Sequence, residues 1–327
     1  MFMSQPSGTV LVAGSANVDF VARASHVPAP GETVLGHDFA IFPGGKGANQ
    51  AGACARAGGA PTRMVLALGE DVFAQLVEDS LRAAGVHLHI VRVAQHSTGA
   101  ALICVADNAE NAITVAPGAN SMLRATDLPD LEGVEYLLLQ LETPLRAVTD
   151  IARAASAAGI SVVLNAAPAQ PLPGELLDVV DVLIVNEDEL TLIAGHSGSV
   201  AQRLESVDVP CAVVTLGPRG CCARADGQFF VQPAYRVASV DTTAAGDTFC
   251  GVLVASLRSQ AALPQGLRRA AAAAALATTR AGAQASIPTY AEVEALMNSV
   301  PDNENDPVRS ELRAYCGLQP SKHTPAD

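Results

Sequence analysis

No uncharged apolar run of about 18 residues occurs in the chain, which excludes a membrane-spanning helix. Basic residues are scarce: 20 lysines and arginines stand against 33 aspartates and glutamates, a net charge of -13. That balance disfavours nucleic acid and anionic membranes as partners, so any phosphate the protein binds must be held by local groups. The seven cysteines (Cys54, Cys104, Cys211, Cys221, Cys222, Cys250 and Cys316) offer no C-x-x-C pair and no histidine spacing suited to zinc. They read as buried, reduced thiols. The start, MFMSQPSGTV, lacks a basic patch followed by an apolar stretch, so a soluble, cytoplasmic protein is expected. Neither a solenoid-length repeat nor a long low-complexity tract is present.

What is present is a large apolar fraction, 49% of 327 residues, enough for a sizeable core. TVLVAG (Thr9 to Gly14) reads as a buried strand, and similar runs recur as RMVLALG, EYLLLQLE, ISVVLNAAPA, VDVLIVNE and PCAVVTLG. Between several of them lie helical spacings such as Pro144 to Gly159, which ends on a glycine suited to a helix C-terminus. Strand and helix in alternation predict a parallel sheet covered by helices on both faces. Two segments break the rhythm, about 17–42 and about 97–116; they read as short strands inserted into the α/β body, in the manner of a lid. From Gly246 the chain is strongly helical, through the alanine-rich LRRAAAAAALATTRAG and TYAEVEALMNSV. After Val300 the polar, proline-containing tail, 301–327, is expected to be largely mobile.

Polar groups gather just after the strands. In GSANVD, Asn17 and Asp19 follow the first strand, where ligands collect in open α/β sheets; paired hydrogen bonds to a polyol and a simple Asn/Asp turn both account for them. The glycine-rich PGGKGANQAG (Pro43 to Gly52) departs from the P-loop pattern, because Gly47 follows Lys46 where that motif has Ser or Thr. It lacks the spaced glycines of a dinucleotide fingerprint, which argues against a dehydrogenase. It opens a helix near Ala48, either as a tight turn or as a backbone that presents Lys46 and Asn49 to a ligand. Glu142, Asn186 and Glu189, and the segment Thr215 to Gly220, end further strands; each alone also reads as a cap or loop.

DTTAAGDTFCG (Asp241 to Gly251) places Ala244, Ala245 and Gly246 before a helix whose first turn holds Asp247. An acid there favours a helix N-terminus by a few tenths to about 1 kcal/mol. Small residues beside it also leave backbone N–H groups open to an anion, with a carboxylate at hand. That pair is what phosphoryl transfer to a hydroxyl requires.

Over about 9–300 the chain resembles the ribokinase family of sugar kinases, within the wider PfkB-type carbohydrate and nucleoside kinases. GSANVD, PGETV, GGKGANQA, STGAAL, LLLQLE, LNAAPA, NEDE, TLGPRG, DTTAAGDTFCG and TRAGAQASIP follow the family's order. The resemblance implies a three-layer α/β body over 1–300, with a small β-sheet lid, dimerising through the lids and moving the γ-phosphoryl of ATP to the 5-hydroxyl of D-ribose. By the same resemblance Asp247 is the base and Ala244, Ala245 and Gly246 the anion hole. Asn17, Asp19, Gly45, Lys46, Asn49 and Glu142 contact the sugar. Asn186, Thr215, Leu216, Gly217, Pro218, Arg219, Gly220 and Gly246 contact the nucleotide, and Glu189 joins the Mg²⁺ and phosphate network. A K⁺ site is implied at Asp241, Thr243, Ala277, Arg280, Gly282 and Ser286, largely through carbonyls. Ala271 stands where some relatives place a histidine near the adenine, and the tail has no counterpart. A kinase for deoxyribose, a fructose-type sugar or a nucleoside is the near alternative. A non-catalytic sugar sensor is the distant one.

Overall fold

The computed structural model describes residues 8–108, 110–259, 261–303 and 305–319. The lead before Gly8 and the end of the tail, 320–327, lie outside the described residues. The chain opens with β1 (Thr9–Ala13), β2 (Asn17–Ala24), β3 (Asp38–Gly44), α1 (Lys46–Arg56), β4 (Thr62–Leu68), α2 (Val72–Ala83) and β5 (Val86–Arg92). It continues with β6 (Gly99–Ala106), β7 (Asn111–Ala116), β8 (Val134–Leu139), α3 (Leu145–Ala157), β9 (Ser161–Asn165) and α4 (Gly174–Leu177). Then come β10 (Val182–Asn186), α5 (Glu187–Ala194), α6 (Val200–Ser206), β11 (Cys211–Thr215), β12 (Gly220–Ala225) and β13 (Gln228–Pro233). The last helices are α7 (Ala245–Arg258), α8 (Leu263–Ala277), α9 (Tyr290–Ser299) and α10 (Pro307–Tyr315).

Nine strands form one sheet in the order β13-β12-β11-β10-β9-β8-β1-β4-β5, parallel from β11 to β5 and antiparallel at the β12–β13 hairpin. Its strands read as unbroken apolar runs because both faces are covered. Val10 and Val12 point into a core shared with α1, α7 and α8, while Leu11 and Ala13 point into another shared with α3, α5 and α6. Cys54, Cys221, Cys222, Cys250 and Cys316 are buried and Cys104 and Cys211 half-buried, all as free thiols. Among the described residues no helix is long and apolar enough to cross a membrane.

The chain leaves β1 toward β4 on one side and returns to β8 on the other, so a crevice opens at the carboxyl ends of β1 and β8. The two segments that interrupt the α/β rhythm pair as a separate sheet, β3-β2-β6-β7. β5 and the β12–β13 hairpin add strands beyond those the apolar runs indicated. The polar tail holds a further difference. Pro307–Tyr315 is helical, capped by the Asp306 side chain, with Leu312 and Cys316 buried against the α5–α6 face. Two buried residues on a short polar helix leave too faint a period to read from sequence.

Candidate active site

Strand ends supply the groups that meet at the crevice. Asn17 begins β2, buried, and its Oδ1 accepts from Asn120 Nδ2 (2.7 Å); Asn120 in turn is fixed by the backbone of Ala16. Glu142, past β8, accepts from Ser15 Oγ (2.6 Å) and from the backbone N–H of Lys46 (3.0 Å), the first residue of α1. The glycines beside it serve close packing. Gly45 has φ 91°, and a Cβ there would lie 2.7 Å from the Asn17 nitrogen; one on Gly47 would lie 2.6 Å from the Ser15 nitrogen. So α1 starts at Lys46, two residues ahead of the sequence expectation, pressed against the β1–β2 turn.

Asp247 sits in the first turn of α7, 8% exposed. Its Oδ2 accepts from Asn49 Nδ2 (3.0 Å) and its Oδ1 from Gln50 Nε2 (2.9 Å). Gln50 also donates to Asn165 Oδ1 (2.9 Å), and its Oε1 accepts from Gln140 Nε2 (2.7 Å). A carboxylate accepts only, which fixes each amide in this buried chain. Each Asp247 oxygen keeps a lone pair for another partner. Asn49 Oδ1 is buried with no protein partner, an acceptor waiting for a donor. The helix starts from Ala244 in a left-handed conformation (φ 57°), costly for a residue with a Cβ. A Cβ on Gly246 would meet nothing within 4 Å, so the backbone there is open to a close-approaching group. The Ala245 N–H donates to the Thr242 carbonyl (3.2 Å) and the Thr248 N–H to the Ala244 carbonyl (2.8 Å), so Gly246 and Asp247 carry the first-turn amides that have no intrahelical partner.

Lys46, Asn165, Asn186, Glu189, Thr215, Ala244, Gly246 and Asp247 line a polar cavity of about 230 Å³. Through Thr215, Thr242 and Gly246 it joins a larger one of about 560 Å³. That second space is walled by Gly217, Pro218, Gly220, Val237, Phe249, Ala271, Ala274 and Ala275. Asn186 caps α5, and Glu189 returns its carboxylate to the Asn186 N–H (2.7 Å), so both are helix caps as well as cavity walls. Leu216 and Arg219 differ from expectation. The Leu216 side chain is buried in the core, and Arg219 lies over the Tyr315 ring, outside both cavities.

Burial pushes Asp19 up to about 6, with Glu142 and Asp247 adding repulsion. The Asp247 carboxylate raises Lys46 most, against the opposing cost of desolvation. Burial raises Glu189 even though the Asn186 N–H and Lys46 favour its charged form. Asp241 gathers Thr243 N–H (2.9 Å) and Oγ1 (2.6 Å) on one oxygen and Gly282 N–H (2.9 Å) on the other. Burial opposes its ionisation, but these donors outweigh it and hold the group below its usual range. Ala277 ends α8 with its carbonyl on the Arg280 N–H (3.3 Å), and the Ser286 hydroxyl is turned to the Ala283 carbonyl (2.8 Å). The Arg280 side chain points elsewhere, to Glu292 (2.5 Å), leaving only its backbone at the turn.

Sequence reasoning passed over Gln50, Gln140, Asn165, Asn120 and Ser15. Each is a polar residue inside or beside an apolar run, a signal that burial turns into a hydrogen-bonding requirement.

A carboxylate anchored by buried amides at an open helix start, flanked by a polar and an apolar cavity, is the layout of a small-molecule phosphotransferase. The chain belongs to the pfkB family of carbohydrate kinases, whose model matches residues 8–290. It is 38% identical to a ribokinase of Haemophilus influenzae over 87% of this chain and 96% of that one. Its fold superposes on a ribokinase from Thermotoga maritima (TM-score 0.83, 34% identity, 89% and 99% of the two chains). It superposes as well on an Arabidopsis thaliana ribokinase complexed with ribose and ATP (TM-score 0.82, 32% identity, 89% and 98%).

Proposed function

We propose that the protein transfers the γ-phosphoryl group of ATP to the 5-hydroxyl of D-ribose, giving ribose 5-phosphate and ADP. The observation that carries this is the place of Asp247: its carboxylate borders the polar cavity beside Lys46 and Gly246 while Asn49 and Gln50 hold it from behind. Asn17, Asp19, Asn49 and Glu142 accept from the hydroxyls of the sugar, and Asp247 takes the proton of the attacking oxygen as that oxygen bonds to phosphorus. The bond from phosphorus to the β-phosphate oxygen breaks, and the open amides of the α7 turn stabilise the charge on the moving group. The apolar cavity along Val237, Phe249 and Ala271 takes the base of the nucleotide, and Thr215, Gly217, Pro218 and Gly220 border it.

Among the described residues no three His, Cys, Asp or Glu side chains cluster to hold a metal ion, which suits a Mg²⁺ that arrives on the nucleotide phosphates. Glu189 and Asn186 are the groups that would face it, and the ion would offset phosphate charge. The oxygen-only set of Asp241, Thr243 and the carbonyls of Ala277 to Ser286 fits K⁺, which would order the Asp241 to Gly246 loop. The four-stranded sheet acts as a lid over the body. Its exposed Phe39, Leu102 and Ile113 suit pairing with a second copy, and a cytoplasmic setting agrees with the free thiols.

Turnover of ribose, deoxyribose, fructose and adenosine with ATP, with K⁺ or a bulky organic cation, tests this reading. Ribose is expected to give the highest kcat/KM and K⁺ to raise the rate; no turnover of any pentose would overturn it. A flat response to K⁺ would remove Asp241 and its neighbours from the cation role. Sedimentation of the native chain against a Phe39→Glu variant tests the paired lids, with a monomer expected for the variant alone.

A further inference from the structure

The matched family span ends at residue 290, yet the following segment reaches back to the nucleotide end of the site. α10 is seated by Leu312 and Cys316, and the Cys316 carbonyl accepts from the Ala201 N–H (2.9 Å) at α6. Between these two anchors Tyr315 stays 41% exposed, and it touches two other segments at once. Its hydroxyl donates to Glu187 Oε1 (2.6 Å), and the Arg219 guanidinium lies 4.3 Å over its ring. Arg219 also faces Glu187 Oε2 at 4.0 Å, and Arg203 reaches Glu187 Oε1 at 3.9 Å from α6, so four residues meet in the cluster.

Both residues it holds border the proposed nucleotide space without entering it. Glu187 follows Asn186, which lines the polar cavity, and Arg219 stands between Pro218 and Gly220, which line the apolar one. The β10–α5 turn borders the polar cavity and the β11–β12 turn the apolar one, and the two turns follow neighbouring parallel strands. We propose that Tyr315 is a positioning residue for nucleotide binding, a clamp from the C-terminal helix that fixes these two turns and keeps the Arg219 guanidinium out of the apolar cavity. The proposal rests on the ATP reading of that cavity. A partly exposed ring anchored on both sides by buried neighbours contributes little to holding the helix in place. Its two contacts are what its removal takes away.

The test uses the full chain with Tyr315→Leu, Tyr315→Phe, Arg219→Gln and the Arg219→Gln/Tyr315→Leu pair. Tyr315→Leu is expected to raise KM for ATP about five-fold, as loss of one charge-assisted hydrogen bond and one cation–π contact implies. The kcat and the KM for ribose stay within about two-fold, since neither touches the cluster. Tyr315→Phe keeps the ring over Arg219 and falls between. The double variant is no worse than the worse single one, because both act through one contact. Calorimetric titration with ATP gives the same ranking independently of turnover. An unchanged ATP dissociation constant in Tyr315→Leu, or equal losses toward ATP and ribose, would overturn the clamp. A wild-type chain that binds ATP but phosphorylates no sugar would refute the kinase reading and leave the clamp to be judged by the titration. A chain that binds no ATP would remove both.

Discussion

The two ends of the composite cavity are made of different matter. Around Asp247 and Glu142 buried polar groups hold one another in hydrogen-bonded chains, Asn49, Gln50, Asn165 and Gln140 in one, Ser15 and the α1 amides in another, with Asn49 Oδ1 left as an unpartnered acceptor. Around Ala271 the walls are mainly apolar, with Val237, Phe249, Ala274 and Ala275 interrupted by Arg236, Ser239 and Thr278. A polar end rejects a ligand that lacks one hydroxyl, because a buried group is then left without a partner. An apolar end recognises shape and area, and tolerates substitution until it is filled. Selectivity should therefore reside in the first end and affinity for a broad class of bases in the second.

Asp247→Asn is expected to lower kcat by roughly 10³-fold while ribose binding, followed by calorimetry, changes little. Near-normal turnover would mean that the polar end binds but does no chemistry.

Asp19→Asn is expected to raise KM for ribose roughly 30-fold, the loss of a charged partner. The same change should stabilise the fold. Burial pushes the Asp19 carboxyl up to about 6 in the folded chain, from 3.8 for an ordinary aspartate. Below 3.8 both states hold the proton and nothing is gained. The penalty for the folded charge grows from there to pH 6 and is complete above it, on the order of 3 kcal/mol. Melting of the variant should therefore exceed wild type at pH 7.5, with the gain fading toward pH 4; an equal or lower melting temperature at pH 7.5 would refute the burial cost. For wild type, KM for ribose should rise as pH falls through about 6, if the ionised form is the acceptor.

Gln50→Met keeps the volume but strands Gln140 Nε2 and Asn165 Oδ1. We expect a loss of about 1–3 kcal/mol in stability by denaturant titration and roughly ten-fold in kcat. The smallest effect belongs to the apolar end. Ala271→Phe narrows that cavity and should raise KM for ATP several-fold with KM for ribose unmoved. A comparable rise for ribose would merge the two ends into one.

The same division explains what was legible. Alternating apolar runs gave the parallel sheet and its two covered faces, because strands such as Val10 to Ala13 must be apolar on both sides. Asp19 and Glu142 stood out as charged residues just past an apolar run, and Asp247 as an acid behind small residues at a helix start. Gln50 and Gln140 did not: an uncharged amide reads alike whether it is solvated or locked to a carboxylate, and only burial tells the two apart. Arg219 was assigned with its sequence neighbours, yet its guanidinium lies over Tyr315, which no local pattern connects to it. Alanines 271 to 275 read as helix packing; Ala272 and Ala273 are that, while Ala271, Ala274 and Ala275 are also a cavity wall.

One consequence follows from where Asp19 is mounted. It stands on β2, in the four-stranded sheet, whereas Asn49, Glu142 and Asp247 stand on the body. On the proposed binding mode, a sugar gripped by all four would be a rivet through two plates. Its affinity therefore measures the angle between the plates as much as the chemistry of either, and a substitution far out on the small sheet that alters that angle should register as a change in sugar binding.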